Sequence, residues 1–148
     1  MLIRGEAQMR KLGANIMAAT HSGGVIALHG NLGTGKTTLV RGALEFLGVT
    51  KGVRSPTYTL IEYYAFDSLS VAHFDLYRLE HAEELEYLGY RDYMNEQTLC
   101  FVEWPDRAKD CLGDVGLDIF IDYDAEGRLV KLSSKCEWGN RITESVIF

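Results

Sequence analysis

The chain has 148 residues, 47% of them hydrophobic and 24% charged, with 15 basic against 21 acidic side chains and a net charge of −6. That length suits one α/β domain and is short for two, no apolar run is long enough to cross a membrane, and the acidic total argues against a protein that grips a nucleic-acid backbone by itself. Three cysteines, Cys100, Cys111 and Cys136, form no Cys-x-x-Cys pair and speak against a zinc site; with no leader pattern readable at Met1, the expected home is the reducing cytoplasm.

From the N-terminus, Met9, Leu12, Ile16 and Ala19 share one face of a helix predicted over residues 6–19, which Ser22, Gly23 and Gly24 break. Residues 25–29, VIALH, are the nearly all-apolar run of a parallel strand covered on both faces. The octet GNLGTGKT follows at 30–37, a complete G-x-x-x-x-G-K-[ST] phosphate loop set between a strand and a helix. Its glycines leave no side chain between main chain and phosphate, so the backbone of Gly30, Asn31, Leu32, Gly33, Thr34 and Gly35 can turn its amides inward, ahead of a helix start at Lys36, Thr37 and Thr38. Lys36 is expected to reach the β- and γ-phosphates, and the Thr37 hydroxyl to be a ligand of Mg²⁺. Leu39, Val40, Ala43, Leu44 and Leu47 carry the helix to a C-terminal cap at Gly48.

Beyond the loop VTKGVRSP, Tyr58, Leu60, Tyr63 and Tyr64 suit a strand; a turn near Asp67 and Ser68 leads into a second strand over 71–76, giving a hairpin. A short helix over 82–88 turns Leu85 and Leu88 inward and stops at Gly89, and an apolar strand over 99–104 stops at Pro105. LDIFIDY at 117–123 alternates and pairs through a DAEG turn with RLVKL at 128–132. These patterns describe an α/β, P-loop NTPase-like mixed β-sheet flanked by helices, a single domain over residues 1–134 followed by a tail, 135–148, whose weak periodicity leaves its order open. Strand order is not derivable from the pattern.

A phosphate loop binds, whereas hydrolysis or transfer also needs a carboxylate near the metal and a group to orient the attacking atom. Two strand ends offer one: Leu99, Cys100, Phe101 and Val102 lead to Glu103 in the manner of a Walker B strand, and Val71, Ala72, His73 and Phe74 lead to Asp75. Glu103 is the first choice for the Mg²⁺ shell, and Asp75 for a second metal water or the nucleophilic water. The pattern alone leaves open that either is a solvated acid ending a strand. Alternation puts His73 on the face of Asp75, where packing or hydrogen bonding is the expected role.

The segments GNLGTGKTT from Gly30, SPTYTL from Ser55, HFDLYRL from His73, EELEYLGYRDY from Glu83 and VEWP from Val102 resemble, in order and spacing, the TsaE (YjeE) family. The resemblance spans most of residues 6–134, and the later motifs are far more specific to the family than the phosphate loop. It implies a small bacterial ATPase, using ATP and Mg²⁺, that supports threonylcarbamoyladenosine formation in tRNA by acting with the TsaB and TsaD proteins and touches tRNA only through that complex. Position by position, it implies phosphate and metal roles for Lys36 and Thr37, an essential acid at Glu103, a neighbouring tryptophan at Trp104, a functional aspartate at Asp75, and a switch-like loop at Ser55, Pro56, Thr57 and Thr59. It also places Glu6 and Arg128 about the adenine. Asn31 and Thr34 depart from the acid and alanine common in the family, at loop-facing positions where affinity rather than chemistry is expected to change.

Two other functions are compatible with a phosphate loop: a small-molecule kinase, and a module that holds nucleotide without turnover. A kinase needs an acceptor pocket and usually lid arginines, whereas Arg54, Arg78, Arg91 and Arg107 are scattered and none stands out as an arginine finger. Weak activity of the isolated chain is therefore expected.

Overall fold

The computed structural model describes residues 1–53 and 55–146; Arg54, counted above among the scattered arginines, lies outside the described residues. The helices are α1 (Glu6–Ala19), α2 (Lys36–Phe46), α3 (Glu84–Tyr87) and α4 (Glu137–Ser145). The strands are β1 (Leu2–Ile3), β2 (Gly24–His29), β3 (Ile61–Tyr64), β4 (Ser70–Asp75), β5 (Thr98–Glu103), β6 (Leu117–Asp124) and β7 (Gly127–Ser134). They form one sheet in the order β1-β7-β6-β2-β5-β4-β3. β6, β2, β5 and β4 run parallel, while β3, β7 and β1 pair antiparallel at the flanks. The sheet is mixed and flanked by helices, as the sequence patterns require.

β2 is central because its residues can be buried on both sides. Ile26 and Leu28 face the core beneath α1 and α2, while Val25 faces a second core with Phe74, Leu85, Tyr90 and Val102. α1 and α2 lie in close approach at two glycines: a Cβ on Gly13 would fall on the carbonyl of Leu39, and one on Gly42 on the backbone of Arg10. Only residues without side chains let the two backbones meet so closely.

Three local readings change. Residues 57–59 form a turn, closed by the Leu60 amide donating to the Pro56 carbonyl at 2.7 Å, so β3 starts at Ile61 and not at Tyr58. Leu60 takes a φ of 66° there, a conformation unusual for a branched side chain. β5 ends at Glu103, because Trp104 enters the left-handed region with φ 58° and ψ 51° before Pro105 begins a 3₁₀ turn. β1, two residues long, is too short for alternation to reveal; the Met1 carbonyl accepts from the Val130 amide at 2.8 Å.

The tail whose order the sequence left open contains α4. Ile142, 1% exposed, joins the core beneath α1, and the ring of Trp138 lies where Cβ atoms on Gly24 and Gly116 would be. Burying an aliphatic side chain of that size contributes about 1.5–3 kcal/mol, enough to hold a short helix that few residues would otherwise stabilise.

Candidate functional site

The phosphate loop occupies the C-terminal end of β2, where an open α/β sheet holds its ligands. Gly33 and Gly35 have φ of 76° and 112°, values closed to most side chains, and Gly35 caps α2, its carbonyl accepting from the Leu39 amide at 2.9 Å. Thr34, 2% exposed, donates its hydroxyl to the Asn31 carbonyl at 2.9 Å and so braces the loop from within. Asn31 and Leu32 are exposed at the loop's crest.

Lys36 is buried. Its ammonium donates to the carbonyls of Gly30 at 2.5 Å and Asn31 at 2.9 Å and lies 4.2 Å from the centre of the Trp104 ring. Burial pushes the ammonium below the ordinary lysine value, against the pull of the nearby Glu103 and Asp75 carboxylates.

Thr37, in the first turn of α2, donates its hydroxyl toward both oxygens of Glu103, at 3.1 and 3.0 Å. Glu103 is 3% exposed and also accepts from His73 Nε2 at 2.5 Å, a donor buried completely in β4. Asp75, in register with Glu103 across β4 and β5, is held by the Ser55 hydroxyl at 2.5 Å, the Thr57 hydroxyl at 3.0 Å and the Tyr77 amide at 3.0 Å. The loop that carries Ser55, Pro56, Thr57 and Thr59 is thus tied to the end of β4 through its hydroxyls; Thr59 itself turns to Glu62 instead, at 3.3 Å. Pro56 is buried and its carbonyl closes the turn.

These groups converge on a cleft of ≈ 290 Å³ lined by Leu32, Gly33, Gly35, Lys36, Thr37, Thr38, Ser55, Thr57, Asp75, Tyr77, Glu103 and Trp104. Two larger hollows, of ≈ 780 and ≈ 790 Å³, share Gly23, Gly24 and Val25 at the start of β2, and the first runs along the strand as far as His29. Neither touches the phosphate loop, so size does not mark the site here.

Arg128 reaches the same loop from β7, donating from Nε to the Thr34 carbonyl at 3.1 Å and from a terminal nitrogen to the Gly33 carbonyl at 3.2 Å. Its guanidinium lies 4.5 Å from the Tyr123 ring centre, and the Tyr123 hydroxyl donates to the Leu32 carbonyl. Glu6 is placed elsewhere: it pairs with Arg10 and Arg41 on the outer face of the helices and does not line the cleft. The hydrogen bond from Arg10 holds its carboxyl below the usual carboxylate range.

Tyr77 and Tyr123 were not singled out from the sequence. For Tyr77 a signal existed, since an aspartate two residues earlier commonly accepts from the following backbone amide, as Asp75 does. The Tyr77 ring centre lies 5.0 Å from that of Trp104 and 5.7 Å from the Arg107 guanidinium carbon, which places Arg107 beside the rim of the site. Arg78 lies 4.2 Å over Tyr58, and Arg91 pairs with Glu86.

Comparison with known proteins bears on the family and the fold. The family model described as threonylcarbamoyl adenosine biosynthesis protein TsaE matches residues 3–130. The tRNA threonylcarbamoyladenosine biosynthesis protein TsaE of Haemophilus influenzae is 42% identical over 118 residues, 80% of this chain and 75% of that protein. Its namesake in Aquifex aeolicus is 34% identical over 137 residues, 91% and 96% of the two chains. The crystal structure of Bacillus subtilis YdiB superposes with a TM-score of 0.81 at 28% identity, covering 99% of this chain and 91% of that one.

Proposed function

The chain belongs to the TsaE family, and from that premise we propose that it is a Mg²⁺-dependent ATPase that supports threonylcarbamoyladenosine formation in tRNA by acting on the TsaB–TsaD complex in the cytoplasm. One observation carries the reading: the Thr37 hydroxyl of the phosphate-loop helix meets the Glu103 carboxylate of the adjoining strand inside the cleft that also holds Lys36 and Asp75. A glycine-rich turn that merely ended a strand would have no reason to gather these groups.

The donor set suits the metal. A hydroxyl and a carboxylate, both oxygen donors, with a second carboxylate in register beside them, are what a hard divalent cation takes when phosphate and water complete its shell. Thr37 and Glu103 would hold Mg²⁺. When bound it supplies positive charge at the phosphate oxygens. Lys36 adds the charge of an ammonium that the burial around it leaves poorly hydrated and therefore ready to pair with phosphate. The left-handed Gly33 and Gly35 let the loop amides face the phosphates, and Arg128 and Tyr123 brace the loop's carbonyls from behind. Asp75 orients the water that attacks, and the hydroxyls of Ser55 and Thr57 transmit the state of the site to the loop that bears them.

No helix in the described residues is long and apolar enough to cross a membrane. The partner role rests on the family and on the exposed Tyr58, 82% accessible, on the loop that the Asp75 contacts tie down. The test is phosphate release by the purified chain with and without TsaB and TsaD, alongside a screen for phosphorylated small molecules. Release stimulated by the partners supports the reading; a phosphorylated acceptor would make the protein a kinase, and nucleotide binding without release would make it a binding module.

A further inference from the structure

His73 has no solvent contact, yet it sits in β4 where an apolar residue would pack as well. Its Nε2 lies 2.5 Å from Oε2 of Glu103 across the β4–β5 pair, while Nδ1 is buried without a hydrogen-bond partner among the described residues. A carboxylate only accepts, so Nε2 must carry the proton and donate, whatever the charge on the ring. Leaving Nδ1 unpartnered costs free energy, and a histidine placed only to fill space would be a poor choice for that position. What the arrangement gains is one fixed oxygen on Glu103.

The Thr37 hydroxyl is shared almost evenly between the two Glu103 oxygens, at 3.1 and 3.0 Å, and by itself sets neither. His73 breaks that symmetry: it takes Oε2 and leaves Oε1 unclaimed except by Thr37. We propose that His73 is a positioning residue that fixes the plane of the Glu103 carboxylate, so that Oε1 is presented to the cation and to its water. The inference rests on the reading of Glu103 as the acid of the Mg²⁺ site. It also explains the local register, since the parallel pairing sets His73 opposite Phe101, one alternation below Glu103, where an imidazole has the length to reach the carboxylate from beneath. Second-layer donors that orient a metal ligand typically carry about a 10–100-fold effect on metal affinity or activity.

The experiment compares His73→Leu, which removes the donor, with His73→Gln, whose side-chain amide nitrogen reaches about as far from the backbone as Nε2 does. Two quantities are read: the Mg²⁺ concentration that half-saturates the binding signal of a fluorescent ATP analogue, and kcat against KM for ATP at saturating Mg²⁺. For His73→Leu we expect the Mg²⁺ midpoint to rise and kcat to fall, each about 10-fold or more, with KM for ATP within about twofold, and His73→Gln to recover most of both. In the Glu103→Gln background the His73 substitution should have no further effect on the Mg²⁺ midpoint. Should His73→Leu not fold, His73→Met serves in its place. An unchanged Mg²⁺ midpoint in the folded apolar variant, or equal impairment in the apolar and Gln variants, overturns the role of His73. If instead Glu103→Gln itself leaves Mg²⁺ dependence and hydrolysis intact, the reading of Glu103 is what fails, and the inference about His73 falls with it.

Discussion

Asp75 and Glu103 are register partners at the ends of neighbouring parallel strands, yet each carboxylate is held by its own set of donors. Ser55, Thr57 and the Tyr77 amide hold Asp75, and Thr37 and His73 hold Glu103. In the proposed reading these separate donors divide the work, Glu103 serving the metal and Asp75 the attacking water and the loop.

The division of labour predicts that Glu103→Gln keeps ATP affinity within a few-fold while hydrolysis falls by about 10²–10³, the scale of losing a group that acts mainly in the transition state. Asp75→Asn is expected to lose hydrolysis as well and, in addition, to free the Ser55 and Thr57 loop. Single-turnover phosphate release with parallel nucleotide titrations reads both. Full activity in Glu103→Gln together with a dead Asp75→Asn would exchange the two roles.

Lys36→Ala is expected to abolish productive nucleotide binding, because its ammonium is the charged group that loop carbonyls and the Trp104 face hold at the cleft. The circular-dichroism spectrum should be unchanged. Turnover at the wild-type rate would remove the assignment of the phosphate loop.

Burial also gives Lys36 a signature in pH. Its folded pKa lies below the unfolded value, so between the two the unfolded chain binds more protons and the wild type gains stability as pH rises. The penalty for burying the charge is present in full below the folded pKa and is relieved above it. The difference in Tm between Lys36→Met and the wild type should therefore shift in favour of the wild type as pH is raised from 7 toward 10.5, at about 2–4 °C for each kcal/mol. A difference independent of pH would contradict the depressed pKa.

Gly13→Ala and Gly42→Ala should each destabilise the fold without touching the cleft, since the new methyl would fall on the backbone of the facing helix. Overpacking of this kind costs about 1–3 kcal/mol, which urea unfolding would read as a lower midpoint at constant slope. Wild-type stability in both would mean that α1 and α2 are free to move apart.

The last expectation concerns partners. ATP should strengthen capture of TsaB and TsaD over ADP or no nucleotide, and Ser55→Ala with Thr57→Ala should reduce that difference, because these hydroxyls join the loop to Asp75. Binding to free tRNA should be weaker than to the complex, in keeping with the net charge of −6. A pull-down in the three nucleotide states, with tRNA modification measured by mass spectrometry after depletion of the protein, checks both. Equal capture in every state, with normal threonylcarbamoyladenosine in depleted cells, would leave the protein without the proposed role.

The phosphate loop, β2, α2 and the β6–β7 hairpin could be read from the chain because each is set by neighbours a few residues away: glycines that allow unusual torsions, apolar spacing of two or 3.6, and caps at the ends. The acids at the ends of β4 and β5 were legible for the same reason, as the last residues of apolar runs. What local pattern could not state is which groups meet. Thr37 and Glu103 are 66 residues apart and His73 and Glu103 are 30 apart, and they touch only because β2, β5 and β4 lie side by side in parallel register. The same holds for Arg128 on the phosphate loop, 94 residues from Thr34, and for α4, whose weakly periodic segment becomes a helix where Gly24 and Gly116 leave room for Trp138. Turn chemistry misled at Tyr58 and Trp104, where the turn closed by the Leu60 amide on the Pro56 carbonyl and the left-handed backbone of Trp104 override strand propensity. Torsional preference and periodicity act along the chain and so are written in it, whereas the reach of one side chain to another is decided by sheet order, and sheet order is settled by the burial of whole faces at once.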